Sequence, residues 1–284
     1  MTTLLISQKQ IRALLPMEKC IDLMAAVLRT LSLGDAINPL RWAVQLPQQN
    51  GILGLMPGYL GDPKSLGLKV VTIFPGNHGT PYDSHQGVVV LFDVKHGRPI
   101  AILDASEITA IRTAATSGVA TRALAREDAS ELALLGSGVQ ARTHLEAMLR
   151  VRNIQRVRVY SPTRSHLEDF VNRESQRQGL RVEATRSAQE AVEGADLICT
   201  TTSAREPVIF GEWLNPGAHI NAAGACIPTT RELDTAAVLR SRLFVDRLES
   251  ATHEAGDFLI PVKEGAFGED HIRGELGEVL LGRR

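Results

Sequence analysis

An α/β protein built around a doubly wound parallel sheet is predicted from three observations. After Asp128, short apolar runs alternate with helical patterns; a glycine-rich turn follows the first of those runs; and aromatic residues are only 4% of the chain, while alanine and glycine abound. Alternating strands and helices favour a parallel sheet covered by helices, and small side chains let those helices pack closely. The 284 residues are 44% apolar and 22% charged, the composition of a soluble globular protein of one or two domains. With 31 basic and 32 acidic residues the net charge is −1, and no polybasic stretch points to nucleic acid or an anionic membrane, so a small molecule is the expected partner. Cys20, Cys199 and Cys226 are widely spaced without a C-x-x-C pair, which argues against a metal cluster or disulfide framework and for a reduced, cytoplasmic setting. No apolar run has the length of a membrane span, and the start does not read as a signal peptide.

Leu4 to Ile6 reads as a short strand, and apolar positions at Ile11, Leu14, Leu15, Ile21, Met24, Ala25, Leu28 and Leu31, interrupted by Pro16, predict two amphipathic helices. From Leu40 to Asp104 the chain turns β-rich, with runs at Leu68 to Phe74, Val88 to Asp93 and Ile100 to Asp104, the last two joined by the turn His96-Gly97-Arg98-Pro99. This first region is expected to be an α+β layer with an antiparallel sheet. Ser106 is a candidate cap for a helix to about Ala125, rich in small residues and connecting domains expected at residues 1–119 and 120–284. Strands then follow at Glu131 to Leu135, Arg156 to Tyr160, Leu180 to Glu183, Leu197 to Thr200, His219 to Ala222 and Leu243 to Val245, with helices between the first of them.

Gly136-Ser137-Gly138-Val139-Gln140-Ala141 is a G-x-G-x-x-A pattern placed between an apolar strand and a helix. Such glycines allow a tight turn and close approach of backbone amides to a pyrophosphate, which sits on the positive end of the helix; in this register the pattern predicts a Rossmann-type dinucleotide site. The second strand ends Val159-Tyr160-Ser161-Pro162-Thr163-Arg164, without the carboxylate that usually binds a ribose 2′-hydroxyl. Ser161, Thr163 and Arg164 can instead receive a 2′-phosphate, so the expected cofactor is NADPH in preference to NADH; a solvated loop arginine is the alternative for Arg164. Thr201 and Gly224 lie beyond later strand ends, where the nicotinamide half is expected, although Gly224 also fits a plain turn.

The run Leu68 to Pro75, followed by Gly87 to Asp93, Pro99 to Asp104 and Ile111-Arg112-Thr113-Ala114-Ala115, is distinctive. Together with the glycine turn, Asn221 to Gly224, Arg231-Glu232-Leu233-Asp234, Phe244-Val245-Asp246, Glu254-Ala255-Gly256-Asp257 and Gly274 to Glu278, it resembles the ornithine cyclodeaminase and mu-crystallin family over nearly the whole chain. The resemblance implies a homodimeric NAD(P)-dependent enzyme acting on the α-nitrogen of an amino or imino acid, whose first domain binds substrate and forms the dimer. Arg41, Lys69 and Arg112 occupy the positions that would grip the substrate carboxylate, and Lys69 and Arg112 are the catalytic candidates. Chemistry asks for such groups: a small imino acid offers one carboxylate as its strong handle, and a guanidinium holds it by two hydrogen bonds. The structural alternatives are a salt bridge for Arg112 and an edge-strand lysine for Lys69, while Arg41 has little local context.

Two departures from the cyclodeaminase pattern shape the expected function. Cys226 stands where the family's cyclodeaminases carry an aspartate, and Gly54 stands where they carry a glutamate before Leu55-Met56-Pro57. Handling the distal ammonium of ornithine favours nearby anions, which these residues do not supply. The expectation is therefore reduction of a cyclic ketimine, Δ1-pyrroline-2-carboxylate or Δ1-piperideine-2-carboxylate, to L-proline or L-pipecolate. Ornithine cyclodeamination and non-catalytic, NADPH-dependent binding of a small molecule are the alternatives, and an acyclic 2-oxo acid with an amine is a further substrate class within the family. Cys226 itself is expected to be a small packed side chain, and His78 and His85, without metal-ligand spacing, to be loop residues, with a substrate-side role as the alternative; Asp83 of the same loop is undecided between the two. Family members continue past the Gly-Arg region with a strand and helix returning to the first domain; that return is absent from this sequence, which ends at Arg284.

Overall fold

The computed structural model describes residues 2–77 and 80–284, and the chain divides between Arg112 and Thr113 into two compact units. In the first, β1 (Leu4–Ile6) leads into α1 (Gln8–Leu14) and α2 (Met17–Ser32), which are separated where Pro16 caps α2. There follow β2 (Ala36–Ile37), β3 (Trp42–Leu46), β4 (Gly51–Leu60), β5 (Ser65–Ile73), β6 (His85–Phe92) and β7 (Pro99–Asp104). They make a seven-stranded sheet in the order β1-β7-β6-β5-β4-β2, with β3 also paired to β4. Every pairing is antiparallel except that of β1 with β7, which is parallel and joined through the rest of the unit. Ile11, Met17, Ile21 and Leu28, at helical spacing on α1 and α2, are buried, as are Val71 and Ala101 of the sheet.

The sequence reading passes over β4. Its four glycine and proline positions, Gly51, Gly54, Pro57 and Gly58, look like breakers, yet β4 pairs over nine residues with β5, whose ladder supplies the order that local propensity lacks. α3 (Ala105–Leu124) contains both the observed division and the boundary expected after residue 119. Ser106 is not its cap: Asp104 Oδ1 accepts the Glu107 amide at 2.8 Å, and the Ser106 hydroxyl donates to the His85 carbonyl instead. Aspartate is an equally good cap, and helix start signals are ambiguous by a residue or two where Asp and Ser lie this close.

In the second unit β8 (Glu131–Leu135), α4 (Val139–Val151), β9 (Arg156–Tyr160), α5 (Arg164–Gln178), β10 (Val182–Ala184), α6 (Ala188–Val192), β11 (Leu197–Thr200) and β12 (His219–Ala222) alternate. Their parallel sheet has the order β10-β9-β8-β11-β12, so the winding reverses between β8 and β11. Its strands are buried on both faces: Ala133, Leu135 and Ile198 belong to a core with Ile209 and Val238, while Leu132, Leu134 and Leu197 are equally covered. The unit continues with α7 (Thr235–Leu239), β13 (Leu243–Val245), α8 (Leu248–Glu254), α9 (Gly256–Lys263), β14 (Ile272–Glu275) and α10 (Leu276–Leu280). Leu243 to Val245, expected in the doubly wound sheet, instead pairs with β14 in a separate two-stranded parallel sheet. The run is too short to declare its partner, and the pairing residues lie some thirty positions downstream.

Candidate functional site

β8 delivers the chain into the glycine turn at the reversal of strand order, the crevice where open α/β sheets receive ligands. Gly136 has φ +112°, and a Cβ there would stand 2.9 Å from the carbonyl oxygen and hydroxyl of Thr201, so this position requires glycine. Gly138 differs: its φ of −89° suits any residue and a Cβ would meet no protein atom within 4 Å. The turn is therefore open at Gly138, as close approach of a phosphate demands. Gly138 caps α4, a thirteen-residue helix with neither a side-chain cap nor an acidic residue in its first turn, so no carboxylate competes for the leading amides. Val139 is exposed, Ala141 is fully buried where the helix meets the sheet, and Gln140 Oε1 is buried without a partner.

Ser137 reaches across to the second strand end, its hydroxyl donating to Ser161 at 3.0 Å. Thr163 caps α5 without a side-chain hydrogen bond, and Arg164 opens that helix, largely exposed and paired with Glu168 one turn on. Thr201 is held by a hydroxyl hydrogen bond to the Leu135 carbonyl, and Gly224 by an amide hydrogen bond to Glu232. All the residues singled out for a dinucleotide thus cluster at the C-terminal ends of β8, β9, β11 and β12, and the arrangement can take a pyrophosphate on amides and ribose hydroxyls on serine and threonine side chains.

The opposite end of the same sheet is structural. Asp196 accepts the amides of Ser130 and Glu131 and pairs with Arg126, tying the starts of β8 and β11. Two histidines of this unit have little access to solvent: His144 is fully buried between the Ser117 hydroxyl and the Gln140 carbonyl, and the half-buried His219 lies against Asn221, whose side chain also donates to Thr121. Burial pushes both imidazoles down to about 4, so they are neutral at pH 7.

On the first unit Lys69 sits at the middle of β5, opposite Met56 of β4 and Val89 of β6. This excludes the edge-strand reading, since β5 is an interior strand, and alternation puts Lys69 on the face that carries the buried Val71. Gly54 belongs to that face too, and a Cβ there would lie 3.3 Å from Val71, so no acidic side chain accompanies the lysine at this position. Arg112 is exposed on α3, and its charge partly offsets the burial that pushes the Cys20 thiol up to about 11. Arg41 is exposed just before β3.

Cys226 is a correction: expected to be packed, it is exposed in the turn after Gly224, where its amide folds back to the Gly224 carbonyl at 3.0 Å. A short turn outside the sheet offers no core to pack into. His85 opens β6 rather than lying in the loop before it, Asp83 accepts from Asn77 and Gln86 through its carbonyl, and His78 lies outside the described residues. Among the described residues no group of three or more His, Cys, Asp or Glu is placed to hold a metal, and no helix is long and apolar enough to cross a membrane. Sequence reasoning missed the buried Glu232 and the half-buried Asp257; the signal was present in Arg231-Glu232-Leu233-Asp234 and Glu254-Ala255-Gly256-Asp257, which local patterning cannot bring together.

Known proteins resemble the chain along most of its length. Mouse (Mus musculus) ketimine reductase mu-crystallin is 42% identical over 251 residues, 88% of this chain and 77% of that protein. The structure of Thermococcus litoralis Δ1-pyrroline-2-carboxylate reductase in complex with NADH and L-proline superposes with a TM-score of 0.94 at 38% identity, covering 99% of this chain and 87% of that one. An archaeal alanine dehydrogenase dimer with bound NAD gives a TM-score of 0.92 at 32% identity, with coverages of 99% and 86%. The model of the ornithine cyclodeaminase/mu-crystallin family matches residues 1–284, and the chain belongs to that family.

Proposed function

We propose that this protein is an oxidoreductase that reduces a cyclic α-imino acid, Δ1-pyrroline-2-carboxylate or Δ1-piperideine-2-carboxylate, to L-proline or L-pipecolate. The observation that carries the reading is a family chain that keeps Lys69, Arg112 and an open dinucleotide turn but has no carboxylate at Gly54 or Cys226. When bound, a reduced nicotinamide cofactor supplies the hydride that the imine carbon takes up. Gly138 and the first amides of α4, at Val139 and Gln140, bind its pyrophosphate, Ser137, Ser161 and Thr163 line the adenosine side, and the fully buried Ala141 lets the helix pack closely behind the turn. Thr201 and Gly224 serve the nicotinamide side.

Arg112 and Arg41 hold the substrate carboxylate, Arg112 by a two-pronged hydrogen bond, which orients the ring and restricts it to one approach. Lys69, on an apolar face where an ammonium needs an anionic or polar partner, orients the same carboxylate and helps keep the imine nitrogen protonated. NADPH is the preferred cofactor: no acidic residue ends β9, and the exposed Arg164–Glu168 pair is weak enough in water to be exchanged for a 2′-phosphate. The enzyme acts as a homodimer through its first unit, as the family relationship and the alanine dehydrogenase dimer support, and three free cysteines fit a cytoplasmic setting.

Steady-state oxidation of NADPH and NADH with each imine tests the proposal. Rapid turnover that collapses in Arg112→Ala is expected. Ammonia release from L-ornithine without turnover of either imine would overturn it in favour of cyclodeamination, and a change in NADPH fluorescence without oxidation would favour a binding protein.

A further inference from the structure

At the C-terminal edge of the second unit's sheet two carboxylates are stacked in series. Glu232 is fully buried, and both its oxygens accept hydrogen bonds from the chain beyond β11 and β12: Oε1 from the Thr202 amide and hydroxyl, each at 2.6 Å, and Oε2 from the Gly224 amide at 2.7 Å. Asp257, at the start of α9, accepts the amides of Glu232 and Leu233 at 2.8 and 2.9 Å and so fixes the residue that does the gripping. Gly224 is pressed so closely onto this carboxylate that any side chain there would run into the Glu232 carboxyl group and the Thr202 carbonyl.

Packing alone does not account for an acidic residue in this place. A buried carboxylate is costly unless its hydrogen bonds are complete, and an apolar residue of the same volume fills space without that cost. Here burial raises the carboxyl's pKa, while every partner named above is a donor that favours the ionised form. All the hydrogen bonds go to two loops with no ladder between them, since pairing of β11 with β12 stops at Thr200 and Ala222. One residue before Thr202, Thr201 is the group against which Gly136 of the phosphate turn is packed.

We propose that Glu232 is a positioning residue for the nicotinamide half of the cofactor, clamping the chain at Thr202 and Gly224 into the surface that receives that half. The inference rests on the dinucleotide reading above. It predicts that loss of the clamp weakens grip on the nicotinamide end of the cofactor and spares the adenine end.

The test compares two probes by calorimetry, NADH and ADP-ribose, on the full chain and on Glu232→Gln. The variant is expected to bind NADH roughly tenfold to a hundredfold more weakly, the loss of one or two hydrogen bonds to a charged group, with ADP-ribose affinity changed by less than about twofold. Because Glu232→Gln buries an amide against donors and can misfold, Thr202→Val provides a second reading. It removes the hydroxyl, which donates to Glu232 and accepts the Ala204 amide, while the Thr202 amide keeps its bond to Glu232; a selective loss of about fivefold is expected, which Thr202→Ser restores. Equal losses for both probes would show that the carboxylate merely supports the fold, and no loss for either would show that the clamp is idle; each overturns the proposal. If the unsubstituted protein binds NADPH but not NADH, NADPH and 2′-phospho-ADP-ribose serve as the two probes; failure of the dinucleotide reading is seen separately, as absence of binding of both NADH and NADPH, and removes the inference with it.

Discussion

The two glycines of the turn proposed to bind the pyrophosphate should respond to the same substitution in opposite ways. Gly136→Ala forces a side chain into φ +112° and sets its Cβ 2.9 Å from two Thr201 atoms, so backbone strain and overpacking act together. Strain of this kind costs about 1–3 kcal/mol and overpacking a similar amount. A destabilisation of about 2 kcal/mol or more follows, and the melting temperature of a unit this size falls by roughly 4–8 °C. Gly138→Ala has an ordinary φ and meets nothing of the protein, so its melting temperature without cofactor stays within about 1 °C of the parent. Its methyl group instead occupies the open face to which a pyrophosphate must come close, and affinity for NADPH or NADH falls at least about tenfold. Thermal melts without cofactor and fluorescence titrations with it separate the two effects. Tight cofactor binding by a folded Gly138→Ala variant would refute the assignment of this turn, as would a Gly136→Ala variant as stable as the parent.

Arg112→Ala should lower kcat/KM for the imine by roughly a hundredfold or more while leaving cofactor affinity within about twofold, read by initial rates and titration; parallel losses would place Arg112 in a structural role. Lys69→Met should keep the fold, because a flexible apolar chain suits the middle of β5, yet abolish most turnover, and a fully active variant would remove Lys69 from the mechanism. His144 and His219, neutral when folded and pushed down to about 4, bind fewer protons than in the unfolded chain between about pH 4 and 6.5. Their contribution is present above pH 6.5 and lost as pH falls through that window, so their ring signals in NMR should not titrate above about pH 5; ordinary titration near 6.5 would contradict their burial. Asp257 has the opposite sign: burial raises it from 3.8 to about 6, so its ionisation destabilises the fold as pH rises across that range. Asp257→Asn keeps an oxygen for both amides, and its melting temperature relative to the parent should climb between pH 4 and 7; a constant difference would show that the carboxyl is not strained by burial.

Periodicity and spacing read the local elements well where the pattern is self-sufficient. Pro16 between two amphipathic runs marks the break between α1 and α2, and Leu132 to Leu135, a continuous apolar run before Gly136-Ser137-Gly138, declares both a buried strand and the turn that follows. Legibility ends where a residue's meaning depends on a distant partner. Gly51, Gly54, Pro57 and Gly58 look like loop until the β5 ladder makes them strand, and Leu243 to Val245 looks like a sixth strand of the main sheet until β14 claims it. Ser106 and Asp104 compete for one helix cap, and only the hydrogen bond to the Glu107 amide chooses between them.

By itself, the sequence determined the family, the α/β class, the glycine turn after β8 and the absence of carboxylates at Gly54 and Cys226, because each is a matter of residue identity or short-range order. Tertiary structure alone decided that Lys69 stands in an interior strand, that Gly136 needs its glycine while Gly138 leaves its face open, and that Cys226 is exposed. It also brought Asp257 under Glu232 and Glu232 under Thr202 and Gly224. Burial and hydrogen-bond satisfaction are properties of three-dimensional neighbours, and a carboxylate thirty residues away in sequence becomes a neighbour only when the chain has folded.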